Sequence, residues 1–227
     1  MQGTSACQST RVKETDMSLM TYALEYIHAV KQALDRLPLD RLAVVADILL
    51  KAYEHGSQIF VMGNGGSSAT ASHFVNDLAK GIILPGHRRF KAIGLTDNTP
   101  LLTAWANDAS YEDIFKEQLE NFLQPYDVVI GISGSGNSAN VLNAIAYANQ
   151  HGAITIGFTG FEGGKLTGIA QHCIIVSSSH MERVEDVHMA LTHLLKLYLR
   201  QTILENTRNG RRESVEVSEV LRRQVSV

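Results

Sequence analysis

Two short loops of glycine, serine and asparagine constrain the fold of this chain most strongly. The first is Gly-Asn-Gly-Gly-Ser-Ser at 63–68, after the apolar run 58–62, and the second is Ser-Gly-Ser-Gly-Asn-Ser at 133–138, after the run 127–132. A helix-forming run follows each loop, so backbone N–H groups and hydroxyls gather at a helix N-terminus, where anions bind. Two such loops in one small domain predict a phosphorylated ligand.

The remaining sequence continues this alternation of strand-like and helix-like segments. Strands are predicted at 58–62, 91–95, 127–132, 155–159 and 173–176, and helices at 69–80, at 139–151, in two short segments before 123, and from about 181 to 206. Apolar residues spaced three or four apart predict two earlier amphipathic helices, one along Ala23, Ile27, Val30, Leu34 and Leu37 and one over 39–53. This order predicts an α/β fold, a three-layer αβα sandwich around a five-stranded parallel sheet, preceded by N-terminal helices.

The order of the strands decides whether the two loops meet. A five-stranded sheet of this class commonly has the flavodoxin-like order 2-1-3-4-5, in which the order reverses between the first and third strands. Those strands carry the two loops, and ligands bind beyond the carboxyl ends of the strands at such a reversal. We therefore expect both loops to face one ligand.

Length and composition indicate a single packed domain. The chain has 227 residues and 44% hydrophobic content, enough to build one core. We expect a flexible N-terminal tail over 1–20, the domain over 21–206 and a polar, mobile tail over 207–227. The net charge of -3 argues against a nucleic-acid partner.

Targeting and redox signals point to the cytoplasm. The first 16 residues are polar and lack the apolar core of a signal peptide, and no apolar run has membrane-spanning length, so we expect no membrane association. Cys7 and Cys173 are too few for a disulfide framework. Cys173 lies in an apolar run and is expected to be a buried thiol.

Known phosphate-binding motifs do not account for the loops. Neither contains the Gly-Lys-Ser/Thr of a nucleoside-triphosphate loop. The second fits G-x-G-x-x-A at 134–139, but the next strand ends without the acidic residue that a dinucleotide site needs, and Glu162 follows only in the loop. Tight turns whose small residues serve packing are the alternative for each loop, although turning does not require the serine hydroxyls.

A second group of polar residues lies on two helices. His73 and Asp77 are four residues apart on the helix that follows the first loop, so they share a face. Alone, this spacing is more often a surface pair than a metal or catalytic site. Glu185 and His193 lie roughly 80° apart around the last predicted helix. His193 adjoins an apolar line, so a buried core histidine is the alternative interpretation.

Five blocks of sequence make a resemblance specific. They are GNGGSSATASHFVNDL, WAND, GISGSGNSANV, FTGFEGGKL and ERVEDVHMALTHLL, in that order between about 21 and 199. They resemble the sugar isomerase (SIS) fold and, within it, the phosphoheptose isomerases, which interconvert sedoheptulose 7-phosphate and a heptose 7-phosphate. The resemblance implies a homotetramer with active sites at subunit interfaces, a bound zinc ion and a sugar-phosphate substrate.

The resemblance also implies roles for individual residues. The positions implied to contact substrate are Asn64, Gly65, Gly66, Ser67, Asp77, Asn107, Asp108 and Glu185, and those implied to hold the phosphate are Ser133, Gly134, Ser135 and Ser138. The implied metal ligands are His73, Asp77, Glu185 and His193. Asp77 and His193 are the implied catalytic pair.

Three positions depart from the family pattern. Asp77 stands where the family has glutamate, which shortens the side chain by one methylene, about 1.5 Å. Glu185 stands in place of glutamine and adds a negative charge, and Gly134 replaces a threonine in the second loop. These departures bear on which sugar phosphate and which metal the site takes.

The residue types suit aldose-ketose isomerisation. This reaction moves a proton between neighbouring carbons through an enediol, and it needs a base, an acid and stabilisation of an oxyanion. Two histidines and two carboxylates are an acceptable zinc set that would also suit iron, manganese or cobalt. The competing hypothesis is a binding module, because some proteins of this fold sense sugar phosphates and one bacterial branch binds the replication initiator protein.

Overall fold

The computed structural model describes residues 18–225, with side chains up to residue 208. Over that range the elements are α1 (Leu19–Asp35), α2 (Leu39–His55), β1 (Gln58–Gly63), α3 (Gly66–Asn76), a π-helical segment (Asp77–Gly81), β2 (Lys91–Gly94), α4 (Thr99–Asp108), α5 (Lys116–Phe122), β3 (Val128–Ser133), α6 (Ala139–Gln150), β4 (Ile154–Gly160), α7 (Leu166–Ile169), β5 (His172–Val176) and α8 (Met181–Val225). All five predicted strands are present, and their bounds agree with the sequence pattern within a residue or so.

The five strands form one parallel sheet in the order β2-β1-β3-β4-β5. This confirms the predicted strand order. The order reverses between β1 and β3, so the carboxyl ends of these two strands and the loops that follow them lie side by side. The predicted meeting place of the two loops therefore exists in the fold.

Side chains that alternate along the strands build two cores, one on each face of the sheet. On β1, Ile59 and Val61 join the core beneath α2, α3 and α8, whereas Phe60 and Met62 join the core beneath α5 and α6. All four are fully buried. Burying one such side chain contributes about 1.5–3 kcal/mol, which explains why the strands are apolar on both faces.

The helix ends differ from the sequence prediction in two places. The last helix does not end near residue 206 but continues to Val225. Residues 207–225 contain no proline, and their Arg, Glu and Leu residues favour helix, while Gly210 costs only about 1 kcal/mol. At the other end, α1 already begins at Leu19, with Ser18 as its N-cap. Residues 1–17 of the tail predicted over 1–20 lie outside the described residues.

In the described part of the chain, no helix is both long and apolar enough to cross a membrane.

The apolar face predicted for the first helix is only partly covered. Of that face, Val30 and Leu37 pack against the core, whereas Ile27 is 55% exposed and Leu34 is 37% exposed.

Candidate active site

The two Gly/Ser loops are joined directly through a pair of amides. The Asn64 side chain, in the first loop, donates to Asn140 Oδ1 at 2.8 Å, and Asn140 Nδ2 donates back to Asn64 Oδ1 at 3.0 Å. Asn140 lies in the first turn of α6, immediately after the second loop. Tyr111 adds a third link, because its hydroxyl donates to Asn64 Oδ1 at 3.1 Å. The loops therefore form one surface at the carboxyl edge of the sheet.

The first loop is shaped by glycine and ends in an exposed helix start. Gly65 has φ +54°, in the left-handed region, and a Cβ at Gly63 would lie 2.7 Å from the carbonyl oxygen of Ser67. Ser68 Oγ donates to the Gly65 carbonyl at 2.8 Å, whereas Ser67 is buried with 4% exposure. Packing therefore explains the glycine at 63, as expected if the loop were only a tight turn. Packing does not explain the polar side chains around it.

The second loop is held by internal hydrogen bonds and by a neighbouring loop. The hydroxyl oxygens of Ser133 and Ser138 are 3.1 Å apart, and the Asn137 amide N–H donates to Ser135 Oγ at 3.2 Å. Gly136 has φ +65°, and a Cβ there would overlap the carbonyl of Gly163. The glycine-rich loop after β4 thus lies backbone to backbone against the second loop.

Met181 explains why residue 134 is glycine. A Cβ at Gly134 would overlap the sulfur of Met181, the first residue of α8, and would lie 3.7 Å from a methyl group of Val184. A threonine, which the family pattern has here, would need the methionine side chain to move. The glycine at 134 therefore leaves the space that the Met181 side chain of α8 occupies.

His73, Asp77 and His193 form a compact cluster of potential ligand atoms. One ligand atom from each lies within 4.8 Å of the others. Asp77 Oδ2 is 3.6 Å from His73 Nε2 and 3.9 Å from His193 Nε2. Asp77 begins the π-helical segment and is buried, whereas both histidines are partly exposed. Interruptions of this kind in an α-helix occur frequently at functional sites.

The donor set of this cluster fits a divalent cation. The two Nε2 atoms face each other at 2.8 Å, so a hydrogen bond between them requires one ring to carry its proton there. Asp77 Oδ2 is buried and has no hydrogen-bond partner among the described residues. Two imidazole nitrogens and a carboxylate oxygen are ligands that Zn²⁺ accepts, and a bound cation would satisfy all three atoms at once.

Glu185 lies apart from the three-residue cluster. A Cβ at Gly66 would overlap its carboxylate, so the Glu185 side chain rests on the first residue of α3. Burial, followed by the charges of Glu182 and Asp186, raises the pKa of Glu185 above its usual range. A carboxylate at this helix start would repel a phosphate there. Its assignment as a fourth metal ligand stays a prediction.

Asn107 and Asp108 end α4 and are both exposed. The Asn107 amide donates to the Asp108 carboxylate at 2.7 Å. A cavity of about 210 Å³ lies between α4 and the first loop, and its polar lining is Asn64, Ser68, Thr96, Thr103 and Tyr111. Asn107 and Asp108 do not line this cavity, although earlier residues of α4 do.

Three site residues escaped the sequence analysis. Asn140 and Tyr111 hold Asn64, and Lys196 Nζ lies 3.9 Å from Asp77 Oδ1. Lys196 follows His193 by three residues, so the helical spacing alone could have placed it on the same face. No comparable local signal marks Asn140 or Tyr111, because their partner lies far away in the sequence.

His193 is not a core histidine, and the buried histidine of α8 is His188. His188 is 1% exposed and its Nε2 lies 3.2 Å from the Thr159 carbonyl oxygen, so Nε2 must carry the proton and donate. Desolvation, opposed in part by that hydrogen bond, lowers the pKa of His188 to about 4. His188 is therefore neutral near pH 7 and belongs to the core rather than to the site.

His188 should make the fold sensitive to acid. Its folded pKa of about 4 lies below the ordinary 6.5, so stability present above pH 6.5 should be lost as pH falls toward 4. The loss amounts to about 3 kcal/mol. His188→Gln keeps an N–H donor for Thr159 without a titrating ring. Urea unfolding at pH 7 and 4, at fixed protein concentration, should show a smaller pH effect in the variant, and equal effects in both proteins would contradict this assignment.

Comparison with known proteins places the chain in a family. A family model described as the SIS domain matches residues 25–160. The chain belongs to the SIS domain family. Phosphoheptose isomerase from Aquifex aeolicus is 39% identical over 178 residues, which make up 78% of this chain and 93% of that protein. The enzyme of the same name from Geobacter metallireducens is 37% identical over 166 residues, or 73% of this chain and 87% of that protein.

A solved structure agrees with this assignment. The structure of phosphoheptose isomerase from Neisseria gonorrhoeae superposes with a TM-score of 0.73 at 28% identity, and the match covers 80% of this chain and 96% of that chain. Within the SIS domain family, the chain therefore belongs with the phosphoheptose isomerases. The SIS model ends at residue 160, before α8, so His193 lies outside the matched region.

Proposed function

We propose that the protein is a phosphosugar aldose-ketose isomerase that interconverts sedoheptulose 7-phosphate and D-glycero-D-manno-heptose 7-phosphate through an enediol. The observation that carries this proposal is the cluster of His73, Asp77 and His193 in a chain whose full-length relatives are phosphoheptose isomerases. A base and an acid stand within 4 Å of each other, as proton transfer between adjacent carbons requires.

The second loop would bind the phosphate group of the substrate. Ser133, Ser135 and Ser138 offer hydroxyls at the N-terminus of α6, where the helix dipole favours an anion. The first loop, with Asn64 to Ser67, would hold the sugar hydroxyls. In this arrangement Glu185 keeps the phosphate away from the start of α3.

Asp77 would act as the base and His193 as the acid. Asp77 is buried, so little water competes for its carboxylate, and the more exposed His193 ring can exchange protons with substrate oxygens. His73, Asp77 and His193 would hold a divalent metal, which we propose to be zinc. When bound, such a metal supplies Lewis-acid polarisation of the substrate oxygens.

We further propose a cytoplasmic homotetramer. The exposed apolar side chains of α1 and of α8, among them Leu24, Ile27, Leu194 and Leu197, support association of subunits through these helices. The buried free thiol of Cys173 suits a reducing compartment.

Incubation of the purified protein with sedoheptulose 7-phosphate tests the proposed reaction. We expect an aldose heptose phosphate to form, detected by chromatography and mass spectrometry with an isotopic label at the carbon that loses its proton. Binding of the sugar phosphate without turnover, with zinc present, would instead favour a sensing role.

Removal of the metal should abolish most of this activity. We expect elemental analysis to find a divalent metal in the purified protein, a chelator to lower turnover at least tenfold, and zinc to restore it. His73→Ala should bind less metal than the wild type under the same conditions. Metal-free protein with full activity would restrict the two histidines to proton transfer or structural roles.

A further inference from the structure

Lys196 lies against the cluster of His73, Asp77 and His193. It stands three residues after His193 on α8, and its Nζ is 3.9 Å from Asp77 Oδ1. Its side chain passes over Gly81, where a Cβ would lie 3.0 Å from Lys196 Cε. The Lys196 side chain is only 25% exposed, so the ammonium group is partly sheltered from solvent. The glycine that ends the π-helical segment thus makes room for this lysine.

The two oxygens of Asp77 face different groups. Oδ2 faces the Nε2 atoms of His73 and His193, at 3.6 and 3.9 Å, whereas Oδ1 faces Lys196. Within the described part of the chain, Lys196 supplies the one lysine or arginine nitrogen within 4.0 Å of Asp77. Because Asp77 is 7% exposed, water screens this charge pair weakly.

We propose that the Lys196 ammonium competes with a divalent cation for the Asp77 carboxylate. The ammonium attracts Oδ1 across 3.9 Å, while Oδ2 faces the two histidines. It also places a positive charge beside the cluster, and this charge repels a divalent cation that binds there. The cluster should therefore bind a divalent metal with lower affinity than the same three donors would without Lys196.

This inference rests on the proposed metal-dependent function, yet it can be tested without any isomerase assay. The test compares the wild type with Lys196→Met, which keeps an unbranched side chain of similar length, and Lys196→Arg, which keeps the charge. Lys80→Met is the matched control. It also removes one positive charge, but from an exposed position on the π-helical segment that carries Asp77. Zinc affinity is measured on metal-stripped protein at pH 7.5 by competition with a chromophoric chelator.

We expect Lys196→Met to bind zinc at least tenfold more tightly than the wild type. Lys196→Arg and Lys80→Met should stay within about threefold of it. Co²⁺ absorption spectra of the same proteins report whether the ligand set is unchanged. Equal or weaker zinc binding by Lys196→Met, in protein with a wild-type circular dichroism spectrum, would overturn the proposal, and Lys196→Gln repeats the test if the methionine variant does not fold. Lack of turnover on sedoheptulose 7-phosphate would count against the proposed function alone.

Discussion

Replacing Asp77 with asparagine should lower turnover by roughly 100-fold or more while the sugar phosphate still binds. The amide has the size of the carboxylate and fits the same buried position, but it cannot accept a proton from the substrate carbon. Steady-state kinetics should therefore show a fall in kcat with little change in KM, and calorimetry should show binding of the sugar phosphate.

Asp77→Glu is the informative partner of this variant, because it restores the residue found in the family. The Asp77 carboxylate already lies between Lys196 Nζ, 3.9 Å from Oδ1, and the His73 and His193 rings, 3.6 and 3.9 Å from Oδ2. An added methylene would push the carboxylate into one of these groups, so we expect Asp77→Glu to be slower than the wild type but faster than Asp77→Asn. A gain in turnover by the glutamate variant would mean that the shorter acid has fitted the site to another sugar phosphate.

Wild-type turnover by Asp77→Asn would show that Asp77 is not the base. Glu185 would then be the next candidate, because its raised pKa makes it a stronger proton acceptor than an ordinary carboxylate. Glu185→Gln, measured in the same assay, would decide this, since glutamine is the residue that the family has at this position.

Local patterns in the sequence were sufficient to predict the fold. The alternation of apolar strands with helical segments gave five strands, and the usual preference of such sheets gave their order, which the structure confirms. The pairing of His73 with Asp77 also followed from helical spacing alone, and the structure places them 3.6 Å apart. The strands and the His73–Asp77 pairing follow from residues that are neighbours along the chain, whereas the strand order follows from the general preference of this class of sheet.

The composition of the site could not be predicted in the same way. His73 and His193 are 120 residues apart and meet only because α3 and α8 pack on the same face of the sheet. Without that packing, His193 could equally be a core residue, a place that His188 takes instead. The resemblance to known isomerases supplied the pairing that residue spacing left open.

One departure from the family pattern acquires a physical reason only from the tertiary structure. Gly134 accommodates the side chain of Met181, which comes from α8. The polar composition after residue 206 predicts a helix end there, yet α8 continues to Val225. Helix propensity does not depend on apolar residues, so polarity alone does not mark the end of a helix.

Replacing Ser135 and Ser138 together with alanine should weaken binding of the sugar phosphate by roughly 100-fold or more. A hydrogen bond to a charged group contributes about 1.5–3 kcal/mol, and this double variant removes two hydroxyls from the proposed phosphate site. Ser138 precedes α6 as its N-cap, but its side chain makes no capping hydrogen bond, so the helix should keep its stability. Calorimetry measures the affinity, and thermal unfolding checks the fold.

Ser177→Ala is the control for this double variant. Ser177 is exposed just beyond β5 and belongs to neither Gly/Ser loop, so its loss should leave the affinity unchanged. The remaining N–H groups at the start of α6 should preserve weak phosphate binding in the double variant, with a KM effect larger than the kcat effect, because the phosphate lies away from the reacting carbons. Unchanged affinity in a folded double variant would remove the second loop from the site and would leave the first loop, despite Glu185, as the place where the phosphate binds.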